Sequence, residues 1–508
     1  MHKKKVVSNS VIGFSFKILM LVIGFVSRKI FIVFLGEEVL GLNSLYSNLL
    51  DLLNLADLGI GVAVQYQLYE PLVNKDYEKQ SKILSAARKL YNRIGLCVFT
   101  AGIVLSFFIQ WLIKESTYPI SFIRLSFMIS VSGVSIGYFF VHKRLFLQSD
   151  EELGLVNIID LLAKIGTTIV SLVLTVIFHN YFLYLIINAL YGLIGNLIIH
   201  VVFKKKYPNI TSKDKSNQLE SRYLTANLKN VVPMKLSNYV YNSTDNVIIS
   251  KILGLVTVAR YSNYMTIING IMGIEYILGN VVTSSIGKIM KEKNNIKEVF
   301  DYYLLFQYVH FIFTNFCTVS ITILITPFIQ IWLGESFLLD VYILVLLIID
   351  FFIHSMYQPA YVLFGAAGKF KDDKFITMIS AVLNIIFSLV AVYFIGLSGV
   401  ILGTIVSDIY IWIVRSYQMV GRFFKQSLHQ YFLLMLKYTC LTIGSVAISI
   451  ALIKLFVTEN IYLEFIFRAI ISVIIPNIIS FFFTFKAKEF LTLKKMVQQK
   501  LNTIGDKR

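Results

Sequence analysis

Apolar windows of about 20 residues recur along nearly the whole chain, and each is long enough to cross about 30 Å of hydrocarbon. Short polar stretches separate them. The pattern predicts an all-α integral membrane protein with about fourteen transmembrane helices, near 8–35, 41–65, 90–113, 119–141, 154–178, 181–203, 229–254, 258–286, 301–328, 338–364, 375–396, 398–420, 431–456 and 461–485. The loops support that count. One set is basic: His2-Lys3-Lys4-Lys5, Lys75 to Lys89, His142-Lys143-Arg144, Lys204 to Arg222, Lys288 to Lys297, Lys369 to Lys374, Arg422 to Lys425 and the tail from Lys486. The other set is short and poor in positive charge. The two alternate strictly, which places the basic loops and both termini in the cytoplasm of a multi-pass cell-membrane protein.

The polar positions inside the first two spans return later in the chain. Shifting the sequence by 218 positions sets Lys17 on Lys235, Leu35-Gly36 on Leu253-Gly254, Tyr46 on Tyr264, Asp57 on Glu275 and Leu145-Phe146 on Leu363-Phe364. This predicts two homologous lobes, helices 1–6 over 1–203 and helices 7–12 over 229–420. A polar cytoplasmic linker at 204–228 joins them. Six helices per repeat is an even number, so the lobes are expected to be related by an axis along the membrane normal. Helices 13–14, over 431–485, have no counterpart and read as appended. The tail 486–508 spaces Phe490, Leu493, Val497, Leu501 and Ile504 among lysines, the pattern of an amphipathic helix on an anionic membrane surface.

Charges at mid-bilayer cost about 2.5–3.5 kcal/mol each on insertion scales, so they are expected to avoid lipid. Lys17 and Arg28 share one face of the first helix, because eleven residues at about 100° each return nearly to the start. Asn43, Ser47, Asp51, Asn54, Asp57, Gly61 and Gln65 form a polar stripe along the second. Lys235, Asn238, Asn242, Asp245 and Asn246 do so on the seventh, and Glu275 lies on the eighth. The candidate substrate-binding residues are therefore Lys17, Arg28, Asp51, Asn54, Asp57, Lys235, Asn242, Asp245 and Glu275, lining a translocation cavity. A plainer alternative pairs Lys17 with Asp57 and Lys235 with Glu275 as structural ion pairs. Asp160 and Lys164, four apart, are expected to pair along one helix.

Composition narrows the function. The chain has 508 residues, 56% hydrophobic, and a formal net charge of +18. In a soluble protein that charge would suggest nucleic acid, but loop placement accounts for it and no nucleic-acid partner is expected. Cys97, Cys317 and Cys440 sit in apolar segments at unrelated spacings and suit neither disulfides nor a metal site. The seven histidines are scattered singly. No nucleotide-binding loop and no outer loop large enough for a catalytic centre is present, so a transporter without cofactor, drawing on an ion gradient or the membrane potential, is expected rather than an enzyme.

Arg28-Lys29, Phe31-Ile32-Val33-Phe34-Leu35-Gly36, Gly41-Leu42, Tyr46, Asp57-Leu58-Gly59-Ile60 and Tyr69-Glu70-Pro71-Leu72 together resemble the opening of Wzx-type oligosaccharide flippases. Gly396-Leu397-Ser398-Gly399-Val400-Ile401-Leu402-Gly403-Thr404 resembles them too. These flippases belong to the multidrug/oligosaccharidyl-lipid/polysaccharide exporter (MOP) superfamily. The resemblance implies two six-helix lobes around a central cavity, alternating access, and an undecaprenyl-diphosphate-linked glycan as cargo for capsule, exopolysaccharide or other surface-glycan assembly. Polymerase and other glycan-assembly proteins are implied as neighbours in the membrane. It assigns Lys17 and Arg28 to the diphosphate and an essential acidic role to Asp57. Tyr46, Tyr239, Asn54 and Asn242 are expected to meet sugar.

Three alternatives stay open. A lipid II-type precursor flippase differs only in cargo. A multidrug/cation antiporter of the same superfamily is disfavoured by the buried Lys17, Arg28 and Lys235. A membrane glycan polymerase would need a larger outer loop.

Overall fold

The computed structural model describes residues 2–53, 60–211, 239, 243–292, 296–367, 370–455 and 458–505. Among these the chain is helical, without strands. The helices are α1 His2–Leu35, α2 Glu37–Leu53, α3 Ile60–Val73, α4 Tyr77–Phe108, α5 Ile120–Tyr138, α6 Val141–Ser149, α7 Leu153–Phe178, α8 Tyr181–Lys206 and α9 at 243–252. They continue as α10 Leu255–Glu292, α11 Ile296–Leu333, α12 Val341–Ala366, α13 Phe370–Ile395, α14 Leu397–Ser416, α15 Leu428–Leu455, α16 Ile461–Thr484 and α17 Lys488–Gly505. Ten helical segments among the described residues are long and apolar enough to cross a membrane. Outward-facing Leu162, Ile169 and Phe394 are more than half exposed, as suits lipid rather than water. The chain is a multi-pass membrane protein.

Two compact units divide at Ser262 and Asn263. In the first, one apolar core gathers Phe31, Leu42, Leu45, Tyr46, Phe127, Tyr181, Leu255 and Ala259. A second gathers Leu68, Leu84, Tyr91, Phe146, Ile199 and Phe203. Where the predicted spans 8–35 and 41–65 leave a connection from Gly36 to the start of the second helix at Gly41, the chain turns on Gly36 alone, at φ +89°, and α2 starts at Glu37. Only glycine adopts that backbone without a Cβ penalty. Gly41 already lies in α2, and a Cβ there would sit 1.9 Å from the Leu255 carbonyl oxygen, so two backbones touch. His142-Lys143-Arg144, expected in a loop, opens the short helix α6, anchored by the buried Leu145 and Phe146.

The 218-residue offset is visible locally. Gly254 (φ +95°) repeats Gly36, and α10 begins at Leu255, 218 residues after α2 begins at Glu37. Tyr46 and Tyr264 are both fully buried. The Tyr46 hydroxyl donates to the Ile123 carbonyl in the first turn of α5, at 2.6 Å. The Tyr264 hydroxyl accepts from the Leu339 amide, just ahead of α12, at 3.1 Å. Each tyrosine thus ties its helix to the start of the matching one. Ser44 and Ser262, themselves 218 apart, share a hydrogen bond of 3.1 Å. Leu145-Phe146 and Leu363-Phe364 are buried in their own units.

In the second unit the glycine-rich stretch forms the α13–α14 hairpin. A Cβ on Gly399 would lie 2.3 Å from the Ala391 carbonyl carbon, and one on Gly403 2.1 Å from the Ser388 hydroxyl. Small residues four apart let the two helices close to backbone contact. Prolines inside helices leave a carbonyl four residues back without its amide partner. Pro327 frees the Ile323 carbonyl, which accepts from Arg468 on α16 at 3.0 Å. Pro359 frees the Ser355 carbonyl, which accepts from His310 at 2.9 Å. Asn315 ties α15 and α16 to α11, donating to Ser480 at 3.0 Å and Ser445 at 3.3 Å. On α17, Lys488 bonds Asp301 at 2.8 Å.

Candidate functional site

Arg28 occupies the last third of α1, three residues before the buried Phe31 that fixes this part of the helix in the first core. Its guanidinium donates to Ser44 on α2 at 3.4 Å and to Ser262 at the end of the first unit. Two hydroxyls and a half-buried cation therefore form one small cluster. Asp245 on α9 is buried and accepts from the Tyr261 hydroxyl at 3.2 Å. Arg28 and Asp245 each reach a residue 16 positions ahead, across the helix break that follows them, but one position out of the 218-residue register, which sets Arg28 on Asn246. Asp51 on α2 is exposed. Lys17 lies in α1, its side chain outside the described residues, as are Asn54, Asp57, Lys235 and Asn242.

Glu275 belongs to a second and larger constellation, contained in the second unit. It accepts from Ser355, whose hydroxyl also meets Thr314 at 2.6 Å. His310 approaches the same serine from α11. Next to Ser355 on α12, His354 is 6% exposed and fully surrounded by polar partners. Gln358 and Tyr276 reach its Nε2 at 3.2 and 3.3 Å, while Asp408 and Tyr357 reach its Nδ1 at 3.3 and 2.7 Å. The Gln358 amide donates, so Nε2 accepts and the ring proton sits on Nδ1, facing Asp408. Asp408 is fully buried on α14. About two turns on, Arg415 pairs with Asp373 at 2.9 Å and lies over the rings of Tyr357 and Tyr361 at 5.5 and 4.9 Å.

Mutual hydrogen bonds offset part of the cost of burying these groups, while Glu275 Oε2 stays buried without a hydrogen bond among the described residues. The hydrogen bonds make two adjoining groups, Glu275 with Ser355, Thr314 and His310, and Asp408 with His354, Tyr357, Tyr276 and Gln358, which meet at the consecutive residues His354 and Ser355 of α12. A change at one member obliges its neighbours to swap donor and acceptor roles.

Several sequence expectations are corrected here. The histidines are not isolated: His310 and His354 converge on Ser355 and Asp408. Asp160 pairs with Arg144 and not along its own helix with Lys164; Arg144 also reaches Asn196 at 3.1 Å, and Lys164 lies over the Tyr191 ring at 5.0 Å. Tyr46 is 1% exposed and spent on Ile123 and Ser126, so it offers nothing to a sugar. The missed constellation had one legible signal. Within apolar α12 the run His354-Ser355-Met356-Tyr357-Gln358-Pro359 is the longest polar interruption, and its proline exposes the Ser355 carbonyl.

No family model matches the chain, and no curated protein matches it by sequence. Solved structures do match. The lipid II flippase MurJ, in an inward closed conformation, superposes with a TM-score of 0.68 over 94% of this chain and 98% of its own, at 16% identity. The inward-facing form of a multidrug resistance MATE family transporter of the MOP superfamily gives 0.63 over 80% and 96%, also at 16% identity. The chain shares the fold of these two solved transporters. A MOP superfamily transporter from Pyrococcus furiosus, described as having a binding pocket of reversed polarity, gives 0.55 over 84% and 97% at 15% identity. The flippase match spans about seventy more residues of this chain than the MATE match, a length close to that of α15–α17.

Proposed function

We propose that this protein is a flippase for an undecaprenyl-diphosphate-linked oligosaccharide repeat unit, carrying it by alternating access from the inner to the outer leaflet of a bacterial cytoplasmic membrane. The glycan would serve capsule, exopolysaccharide or another surface polymer. The observation that supports this reading most is Arg28: a guanidinium kept within a membrane helix, partnered by the hydroxyls of Ser44 and Ser262. A guanidinium so placed is suited to a phosphate oxygen and ill suited to a cationic drug. Lys17 and Lys235 would add charge from the same stripes, and Asp51, Asn54, Asp57, Asn242 and Asp245 would provide the polar lining. Glu275, with His354 and Asp408, is the element whose hydrogen bonds would rearrange during transport, driven by an ion gradient or the membrane potential.

The lipid II reading keeps a specific support, the high TM-score against a lipid II flippase. Rescue in cells separates the two. A strain lacking its surface-glycan flippase should regain polymer when this chain is expressed, and a strain depleted of its lipid II flippase should not regain growth. The opposite outcome assigns lipid II as cargo. Rescue of neither, with normal protein levels, overturns the flippase reading.

A further inference from the structure

Ser44 and Ser262, one repeat step apart, lie 3.1 Å from each other. Two equivalent residues touch where the symmetry axis relating them passes. The segments 37–44 and 255–262, equivalent by the same offset, cross there, both inside the first unit. Gly41 lies against the Leu255 carbonyl, and Arg260 pairs with Glu37 at 3.5 Å. Around the crossing, Asn48 donates to the Ser243 carbonyl at 3.3 Å, and the Lys114 amide to the Ser250 carbonyl at 3.1 Å. The Ser250 hydroxyl donates to the Leu112 carbonyl at 2.7 Å, and Glu38 accepts from the Thr117 amide at 2.9 Å. The apolar share is small: Leu255 and Ala259, with Val247 at the edge. The connections at Gly36, 113–119 and Gly254 belong to the loops poor in positive charge, so loop alternation puts this face outside.

A path along that axis has to pass this crossing, and here direct contact shuts it. Most of the bonds that shut it are polar and can be exchanged for bonds to water at small net cost. Arg28 belongs to the seal. Its Nη2 donates to both Ser44 and Ser262, so one nitrogen holds the two sides. A phosphate that takes the guanidinium fork draws on the same nitrogen, and the anion is a stronger acceptor than a hydroxyl. Resting on the assignment of Arg28 to cargo phosphate, we propose that Arg28 is the latch of an outer gate formed by 37–44 and 255–262. Without cargo it holds Ser44 to Ser262. Cargo diphosphate releases the gate by taking its guanidinium, so opening to the outside follows loading and the membrane stays sealed between cycles.

Two measurements on the full-length protein in proteoliposomes test this, both with Cys97→Ala, Cys317→Ala and Cys440→Ala. With Ser44→Cys and Ser262→Cys added, oxidation should form a disulfide and stop movement of undecaprenyl-diphosphate-linked oligosaccharide, and reduction should restore the rate before oxidation. With nitroxides instead at Ile120→Cys on α5 and Val256→Cys on α10, both exposed, pulsed electron resonance should gain a longer distance on adding undecaprenyl diphosphate. Undecaprenol, which has no phosphate, should add none. Arg28→Ala should show the longer distance with no lipid present, unaltered by undecaprenyl diphosphate. A disulfide that does not form, or that leaves movement unchanged, overturns the gate. Distances indifferent to undecaprenyl diphosphate, or an Arg28→Ala protein as closed as the unsubstituted one, overturn the latch. If wild type moves no lipid-linked oligosaccharide, the flippase reading fails by itself, and the distances still decide the latch.

Discussion

Tyr46 illustrates what a single residue contributes once its partners are known. Its hydroxyl donates to the Ile123 carbonyl in the same core that seats Phe31 and Leu255. Tyr46→Phe leaves that carbonyl and the Ser126 hydroxyl short of a partner while keeping the ring, so it should cost about 1 kcal/mol of stability. Transport per folded molecule should stay at the wild-type rate, read by thermal unfolding beside an export assay; a selective loss of export would restore the residue to the cargo path. His142 gives a pH signature. Burial first, and then the charges of Lys143, Arg88 and His200, push its folded pKa down to about 3, below the unfolded value near 6.5. The unfolded state therefore binds the proton first, and this contribution, whole above about pH 6.5, is lost as pH falls toward 3. Between pH 7.5 and 5 the wild type should lose up to about 1.4 kcal/mol per unit below pH 6.5 that His142→Gln does not. Parallel unfolding curves would contradict this.

Helices carry the next set of expectations. The α13–α14 hairpin depends on Gly403, where a Cβ meets both the hydroxyl and the amide nitrogen of Ser388. Gly403→Val should destabilise by about 1–3 kcal/mol or more and lower the amount of folded protein in membranes, whereas Gly166→Val, with open space around it, should not. The α10–α12–α14 constellation differs, because its members are held by hydrogen bonds between side chains and not by backbone contact. Asp408→Asn retains shape but removes the charge that His354 faces, so it should reduce transport several-fold with folded protein preserved. Unchanged transport would reduce the constellation to packing. The helix breaks at Gly36 and Gly254 and the hairpin glycines were legible as sequence, since backbone demands fall on identifiable residue types. The histidine constellation was not. Periodicity places a residue on the face of its own helix and says nothing of which other helix meets that face, and His310, His354 and Asp408 lie on three different helices.

For the molecule as a whole, length and charge patterning were enough to read a multi-pass helical membrane protein, and solved transporter structures share its fold. Cargo is a different matter, because at 15–16% identity the shared fold fixes helices and not the chemistry lining them. The charged residues themselves decide that. The most direct measurement is movement of an undecaprenyl-diphosphate-linked oligosaccharide across proteoliposomes holding purified protein. Wild type should translocate it well above protein-free vesicles, and Arg28→Ala, by losing a charge-assisted contact, should be slowed about tenfold or more at equal protein content. Equal rates for wild type and Arg28→Ala, or a wild-type rate no higher than that of empty vesicles, would contradict the account.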